Sequence, residues 1–288
     1  MKILIVGAGG FIGKEFARYY SNKCTVLALK RDALDITDRE AVRKLIFNER
    51  PTVIINCAVL GVDACQINPS KAWAINTEGA EILAKAASDI DAEVLHISTN
   101  YVFDGRPEEK SFHYTIRDTP APINLYGITK LEGERAVCSA SSRSFIVRTS
   151  WVFGPGKKNF FSTVHRSLRA QERVRAATDV RASATYVRDF VKRVDEILLR
   201  RLYATYHVVN SGICSYHDFA LEAARNLHLS TEVVEQLIEP VCAADIPLEA
   251  PRPRFTPMRC VVSEEMGLAP MRDWRAALAD YIRSDCNL

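Results

Sequence analysis

A phenol and an ammonium four residues apart form the pattern in this chain with the clearest chemical meaning. Tyr126 and Lys130 belong to the run Tyr126-Gly127-Ile128-Thr129-Lys130. On a helix that begins near Asn124 they lie on one face. A nearby ammonium lowers the pKa of a phenol from its ordinary value of about 10. The pair could therefore give a proton to an oxygen near neutral pH.

Thr99 stands at a second position suited to the same chemistry. It follows an apolar run that predicts a strand over 93–98, and open α/β sheets bind ligands at the carboxyl ends of their strands. Its hydroxyl could hydrogen-bond an oxygen that gains negative charge in a transition state. Thr99, Tyr126 and Lys130 are therefore the candidate catalytic residues, and the chemistry they suit is reduction of a carbonyl group.

A glycine-rich turn follows the first apolar run, 2–6, and opens the first predicted helix. This is the context that a dinucleotide-binding turn requires. Gly7 permits the tight turn, Gly10 lets a pyrophosphate approach the backbone, and Gly13 allows the helix to pack closely on the strand. Free N–H groups at the helix start then hold the anion. The predicted cofactor-binding residues of the turn are Gly7, Gly10, Phe11, Ile12 and Gly13.

The choice of dinucleotide is read at the end of the second predicted strand. A carboxylate there accepts hydrogen bonds from the ribose 2′-hydroxyl, whereas a cation accommodates a 2′-phosphate. This chain has Lys30 and Arg31. The two cations favour NADPH, although Asp32 and Asp35 follow closely and leave the use of NADH open.

The pattern of apolar residues predicts a doubly wound, Rossmann-type α/β fold with a parallel sheet. Residues 1–153 form the predicted NADP(H)-binding domain, whose sheet is completed by about 187–210. Residues 154–186 and 211–288 form a smaller, mostly helical substrate lobe with proline-bearing loops. The predicted strands are 2–6, 25–29, 53–57, 93–98, 144–149 and 205–209, and the predicted helices include 11–22, 41–49, 73–88, 126–139, 187–202 and 274–282.

Composition and charge exclude several other classes of protein. The net charge is +3, and the arginine-rich run over 166–181 lacks the interleaved aromatic residues of a nucleic-acid surface. No apolar run approaches the roughly 20 residues of a membrane span. The eight cysteines are scattered without a CxxC pair, and the six histidines lack metal-ligand spacing, so no metal site is expected. These features favour the cytoplasm and neither a nucleic acid nor a membrane as partner.

Taken together, the motifs resemble the extended short-chain dehydrogenases/reductases, and among them the dTDP-4-dehydrorhamnose reductase family. The likeness spans nearly the whole chain. Besides the glycine turn and the Tyr126–Lys130 run, it rests on Leu34-Asp35-Ile36-Thr37-Asp38, the run 51–58, Asn76, His96-Ile97-Ser98-Thr99, Tyr101-Val102-Phe103-Asp104-Gly105, the run 148–154 and Tyr206-His207-Val208.

The resemblance implies roles for further residues. Those matching Asp35 and Ile36 flank the adenine in the family, and those matching Cys57, Ala58 and Val59 line the cofactor. Asn76 joins this predicted cofactor-binding set, as do Tyr126 and Lys130, which would also act in catalysis. The tryptophan that matches Trp151 packs beside the sugar, as a flat apolar ring can do against a deoxysugar face.

Two positions depart from the family pattern. Asn100 stands where the family has an aspartate, and an amide can donate as well as accept hydrogen bonds. The loop over 62–66 lacks a lysine and a glutamate that the family carries near the expected substrate entrance. Asn100, Trp151 and Arg252 are the predicted substrate-binding residues, with Arg252 facing the diphosphate because guanidinium groups bind phosphate oxygens.

The resemblance therefore implies an NADPH-dependent ketoreductase of a nucleotide-linked 4-keto-6-deoxysugar, in deoxysugar biosynthesis. One alternative is an epimerase or dehydratase of nucleotide sugars that retains NAD, which Lys30 and Arg31 disfavour. Another is a regulatory subunit that binds NADP without turnover, which the intact Thr99, Tyr126 and Lys130 disfavour. A homodimer is compatible with the resemblance, but the sequence does not determine the oligomeric state.

Overall fold

A six-stranded parallel sheet lies at the centre of the computed structural model, which describes residues 1–106 and 113–286. The strands in chain order are β1 (Lys2–Val6), β2 (Thr25–Leu29), β3 (Val53–Asn56), β4 (Glu93–Thr99), β5 (Ser144–Thr149), β6 (Val152–Phe153), β7 (Val174–Ala177), β8 (Arg181–Ala182), β9 (Thr185–Tyr186), β10 (Thr205–His207), β11 (Cys214–Ser215), β12 (Ile238–Val241) and β13 (Phe255–Thr256).

The helices connect these strands and cover both faces of the central sheet. In chain order they are α1 (Phe11–Tyr20), α2 (Arg39–Glu49), α3 (Val62–Ile67), α4 (Pro69–Trp73), α5 (Gly79–Ser88), α6 (Leu125–Ala140), α7 (Phe160–Arg169), α8 (Val187–Arg200), α9 (Tyr216–Asn226), α10 (Thr231–Leu237), α11 (Val261–Glu265) and α12 (Trp274–Cys286). Among the described residues, no helix has both the length and the apolar character needed to cross a bilayer.

The order of strands across the central sheet is β10-β5-β4-β3-β1-β2. The chain moves outward from β1 to β2 and then returns to the other side of β1 to form β3. The loops that follow β1 and β3 therefore diverge, and a crevice opens between them at the carboxyl edge of the sheet. Ligands bind at such a switch point in open α/β sheets. The doubly wound fold predicted from the sequence is confirmed.

Side chains alternate across the central sheet and build one core on each face. On β1, Ile3 and Ile5 pack with α1 and α8, whereas Leu4 and Val6 pack with α2, α5 and α6. All four side chains are almost completely buried. Because β1 is covered on both faces, its sequence is apolar throughout rather than alternating.

The later part of the chain forms a third, aromatic core, outside the central sheet. Buried side chains of β6, α7, α9 and α12 meet there, among them Phe153, Phe161, Phe219, Trp274 and Tyr281. Six short strands, β7, β8, β9, β11, β12 and β13, also lie in this region. The sequence did not indicate them, because two to four residues are too few to show the alternation of a strand.

The helix predicted over 73–88 is interrupted where it faces α6. Residues Ala74–Glu78 form a π-helical turn, and a regular helix follows from Gly79. The carbonyl of Asn76 in this turn approaches Gly133 of α6 so closely that a Cβ on Gly133 would lie 2.2 Å from the carbonyl oxygen. Glycine at 133 therefore permits the contact between the π turn and α6.

We expect Gly133→Ala to destabilise the protein, although alanine is the better helix former by about 1 kcal/mol. The new methyl group would press against the Asn76 carbonyl, and overpacking of this kind costs about 1–3 kcal/mol. Gly61→Ala is the control, because nothing lies within 4 Å of the Cβ it would add. Urea denaturation measures the free energy of unfolding of both variants. A Gly133→Ala protein as stable as the wild type would contradict the close contact between Gly133 and the Asn76 carbonyl.

Candidate active site

The glycine turn brings the start of α1 against the loop that follows β3. Gly7 has a φ of +72°, and a Cβ on it would lie 2.6 Å from the backbone nitrogen of Ala58. A Cβ on Gly13 would lie 2.5 Å from the Gly7 carbonyl oxygen. Gly10 stands at the N-cap of α1 without a side chain to satisfy the first N–H groups. This turn is therefore a backbone cradle for an anion.

A trough runs along the carboxyl edge of the sheet and passes over this cradle. Two cavities of about 420 Å³ and about 270 Å³ share Gly10, Cys57, Ala58 and Val59, so they form one continuous groove. Such a groove has the size of a cofactor site. Of the predicted site residues, it is lined by Gly7, Gly10, Phe11, Ile12, Arg31, Asp35, Ile36, Cys57, Ala58, Val59, Thr99, Asn100, Tyr126, Lys130 and Trp151.

Two cations stand at the end of the trough beside β2. The Arg31 guanidinium is exposed and lies 3.7 Å from a carboxylate oxygen of Asp35. Hydrogen bonds from Thr37, and then the charge of Arg31, lower the pKa of Asp35. The stem of Lys30 lies beside Gly9, 3.4 Å from the position of a Cβ there. Because Arg31 has only a long contact with Asp35, its guanidinium can turn to an added anionic group.

The first turn of α6 places Tyr126 at the centre of the trough. Asn124 caps the helix, since its side chain accepts a hydrogen bond from the Gly127 N–H at 2.8 Å. The Tyr126 ring meets Tyr101 edge to face, with 5.8 Å between ring centroids. Burial raises the pKa of the Tyr126 phenol, while a hydrogen bond with Thr99 lowers it. The phenol is therefore protonated at neutral pH and holds a transferable proton.

Lys130 lies one turn further along α6, and burial lowers the pKa of its amine to about 8. Its Nζ is 2.9 Å from Nε2 of His96 on β4. One more turn along, Glu134 accepts two hydrogen bonds from Arg148, at 2.9 and 2.6 Å, and one from Ser98. Both buried ionisable residues of α6, Lys130 and Glu134, therefore have a partner on the sheet.

Two buried hydroxyls line or border the trough without a hydrogen bond. Thr149 Oγ1 and Ser150 Oγ have no partner among the described residues. A buried polar atom without a partner is costly, and a ligand with polar groups would satisfy both. Trp151 follows in a left-handed conformation, with a φ of +43°, and stacks on Phe161 at 4.6 Å between centroids. The strain at Trp151 turns its ring toward the trough.

Four predicted site residues do not line the trough. Gly13 packs behind the glycine turn, and Lys30 lies at its rim. Asn76 is buried and supports the wall of the trough, because its side chain hydrogen-bonds the backbone of Leu60 and the hydroxyl of Thr129. Arg252 is paired with Asp63 at 2.7 Å.

Asn100 lines the trough but has contacts on its protein side. Its Nδ2 donates to the hydroxyl of Thr256 at 2.6 Å, and its Oδ1 lies 3.3 Å from the Thr99 hydroxyl. The amide thus joins the end of β4 to β13. The contact of Asn100 with Thr256 could not be predicted from the sequence, because the two residues lie far apart along the chain.

Several trough residues were missed by the sequence analysis. Leu34 and Ile75 add apolar walls at one end, and Lys157 stands over the ring of Phe11, 5.8 Å from its centroid. A basic pair at 157–158 was visible in the sequence, but nothing placed it near the glycine turn. Tyr101 could have been found, because it follows Thr99 and Asn100 at the end of a predicted strand.

The buried pair Arg148–Glu134 gives a stability prediction. Arg148→Met leaves a carboxylate inside the protein without its cation, which costs about 3–5 kcal/mol. Adding Glu134→Leu removes the isolated charge, so the double variant is expected to be more stable than Arg148→Met alone. The exposed pair Arg175–Glu239 is the control, and Arg175→Met should cost less than about 1 kcal/mol. Denaturant titration measures the free energy of unfolding of each variant. A double variant that is less stable than Arg148→Met would contradict this explanation.

The chain matches the family model described as the RmlD substrate binding domain over residues 1–286. A dTDP-4-dehydrorhamnose reductase of Mycolicibacterium smegmatis is 36% identical over 286 residues, which cover 98% of this chain and 85% of that protein.

Solved structures agree with this relationship. A dTDP-4-dehydrorhamnose reductase of Clostridium acetobutylicum superposes with a TM-score of 0.90 at 34% identity, covering 98% of this chain and 99% of that one. The Bacillus anthracis reductase, solved in complex with NADP, superposes with a TM-score of 0.91 at 30% identity and the same coverage. The chain therefore belongs to the dTDP-4-dehydrorhamnose reductase family of extended short-chain dehydrogenases/reductases.

Proposed function

We propose that this protein uses NADPH to reduce the ketone of a dTDP-linked 4-keto-6-deoxysugar, as its relatives are named for doing. The observation that carries the proposal is the meeting of Thr99, Tyr126 and Lys130 in one trough with the glycine cradle. Three motifs that are far apart in the sequence converge where a carbonyl and a dinucleotide would meet. A cleft without a catalytic role would not require these three motifs to meet.

The trough fits NADPH on three features of its own. The glycine cradle offers backbone N–H groups to the pyrophosphate, and Arg31 with Lys30 can take the 2′-phosphate. The hydroxyls of Thr149 and Ser150, which have no hydrogen-bond partner among the described residues, lie in the part of the trough beside Trp151. The residues we assign to the cofactor are Gly7, Gly10, Phe11, Ile12, Gly13, Lys30, Arg31, Asp35, Ile36, Cys57, Ala58, Val59, Tyr126 and Lys130, with Asn76 acting through the wall.

We assign the sugar to the part of the trough beside Trp151. The ring of Trp151 can stack on the deoxysugar, and Asn100 has one N–H left to offer a hydroxyl. Arg252 is assigned to the diphosphate, for which it would exchange Asp63. In this assignment residues 1–153 and 187–210 bind the cofactor, and 154–186 with 211–288 cover the substrate.

When bound, NADPH supplies the hydride, and the residues of the chain manage the proton and the charge. Tyr126 gives its phenolic proton to the substrate oxygen as negative charge develops there. Thr99 hydrogen-bonds the same oxygen and stabilises that charge. Lys130 helps the phenol release its proton through its positive charge.

The two alternatives predict different observations. A nucleotide-sugar epimerase or dehydratase would purify with NAD and show no net consumption of NADPH. A regulatory subunit would bind NADP and leave every sugar unchanged. Residence in the cytoplasm and assembly as a homodimer stay predictions from the sequence.

Tyr126→Phe should lower kcat by about 10²–10⁴-fold, because only the transferable proton disappears. The affinity for NADPH should change far less than kcat, because phenylalanine keeps the ring that lines the trough. The measurement is NADPH oxidation with a dTDP-4-keto-6-deoxysugar, beside fluorescence titration of NADPH. Tyr203→Phe is a matched control, since its hydroxyl bonds Glu93 at the opposite end of β4. Full turnover in Tyr126→Phe would remove Tyr126 from its assigned role.

Arg31→Ala should weaken NADPH by roughly 10–100-fold, the effect of losing one charge-assisted hydrogen bond. NADH, which lacks the 2′-phosphate, should bind with unchanged affinity. Arg39→Ala serves as the control, because this exposed arginine lies in a different surface hollow. Titration calorimetry gives both dissociation constants, and equal losses for the two cofactors would contradict the phosphate assignment.

A further inference from the structure

The environment of the Lys130 amine contains a residue that the proposed chemistry has not used. His96 is 1% exposed, as is Lys130, and its Nε2 lies 2.9 Å from Lys130 Nζ. The other ring nitrogen, Nδ1, lies 3.1 Å from Nδ2 of Asn56 on β3. His96 therefore joins an amide to the amine inside the protein, with all three side chains buried.

The orientation of the Asn56 amide is determined by the backbone. The Ala58 N–H donates to Asn56 Oδ1 at 3.1 Å. If the amide were turned over, its NH₂ group would face this N–H, and two donors would meet. Nδ2 therefore points at His96, and since NH₂ can only donate, Nδ1 of His96 accepts.

This assignment determines where the imidazole proton lies. Burial lowers the pKa of His96, so the ring is neutral and carries one hydrogen. With Nδ1 accepting, that hydrogen is on Nε2 and points at Lys130 Nζ. An ammonium has no lone pair with which to accept it, whereas a neutral amine has one. The arrangement therefore belongs to neutral Lys130.

We propose that His96 and Asn56 are positioning residues that stabilise Lys130 as a neutral amine in the cofactor-free protein. On this proposal, which rests on the proposed function, Lys130 takes up a proton and leaves His96 when NADPH binds. The ammonium has three N–H donors for the hydroxyls of a ribose, and its positive charge can assist Tyr126.

The other groups around Lys130 do not supply a free negative charge. Glu134, from the same helix, is held by Arg148 and Ser98. Burial raises the pKa of Cys57, after β3, to about 12, and it also raises that of Cys65 on α3. Both thiols are therefore neutral.

The balance of these groups gives a pH dependence with a definite sign. Burial is the largest effect on Lys130 and lowers its pKa to about 8, while Glu134 opposes this shift. Above that pH the free protein holds the amine, and binding must add a proton. The affinity for NADPH should then fall by up to tenfold for each unit of pH.

The direct test is nitrogen-15 NMR of the histidine rings in the cofactor-free protein. His96, identified by loss of its signals in His96→Gln, should carry its hydrogen on Nε2 when the pH lies above the Lys130 pKa of about 8. In Asn56→Asp a carboxylate accepts from both Ala58 and the ring, so the hydrogen should move to Nδ1. Nε2 then accepts from an ammonium, and the pKa of Lys130 should rise by about one unit or more. Lysine-labelled protein, assigned with Lys130→Met, reports this pKa.

Asn48→Asp is the matched control. Asn48 is exposed on α2, so this substitution adds the same negative charge at the protein surface. A wild-type His96 with its hydrogen on Nδ1 at a pH above the Lys130 pKa would overturn the proposal without any variant. An Asn56→Asp protein whose Lys130 titrates as before would also overturn it. Calorimetry in two buffers measures proton uptake when NADPH binds. Binding above pH 8 without proton uptake would overturn the proposed link between NADPH binding and protonation of Lys130. Failure to bind NADPH, with the hydrogen on Nε2, would count against the proposed function and support the arrangement at His96.

Discussion

Burial of α6 against the carboxyl end of the sheet is the constraint on which the site depends. The helix carries Lys130 and Glu134 into the interior, where a charge without a partner is strongly destabilising. The partners come from neighbouring strands, His96 on β4 and Arg148 on β5. Two such contacts, one helical turn apart, set the rotation of α6. That rotation in turn directs Tyr126 toward Thr99.

Close backbone contacts hold the rest of the trough in place. A Cβ on Gly127 would lie 2.1 Å from the Tyr101 carbonyl oxygen, so the first turn of α6 rests directly on the segment after β4. Asn124 caps this turn and also donates to the Pro251 carbonyl at 2.8 Å. The Asn124 side chain thus connects the helical turn that carries Tyr126 to the region that we assign to the substrate. A shift of that region would therefore change the position of Tyr126.

The sequence predicted the central sheet well because most of its strands contain a run of apolar residues, and β1 and β5 begin and end where expected. The candidate catalytic residues could be proposed from the sequence because their spacing is local, within one helix or at one strand end. Contacts between distant segments were not predictable: the pairing of Asp63 with Arg252, the contact of Asn100 with Thr256 and the π turn at Asn76 all depend on tertiary packing. The short strands outside the central sheet were not predicted because two to four residues are too few to show the alternation of a strand.

Reduction at C4 of the sugar can be tested with NADPH that carries deuterium at both C4 positions of its nicotinamide ring. The protein is incubated with the labelled cofactor and a dTDP-4-keto-6-deoxysugar, and the product is analysed by NMR and mass spectrometry. The account predicts one deuterium at C4 of the sugar for each NADPH consumed. A product labelled at another carbon, or a sugar changed without any label, would contradict reduction of the C4 ketone by this site.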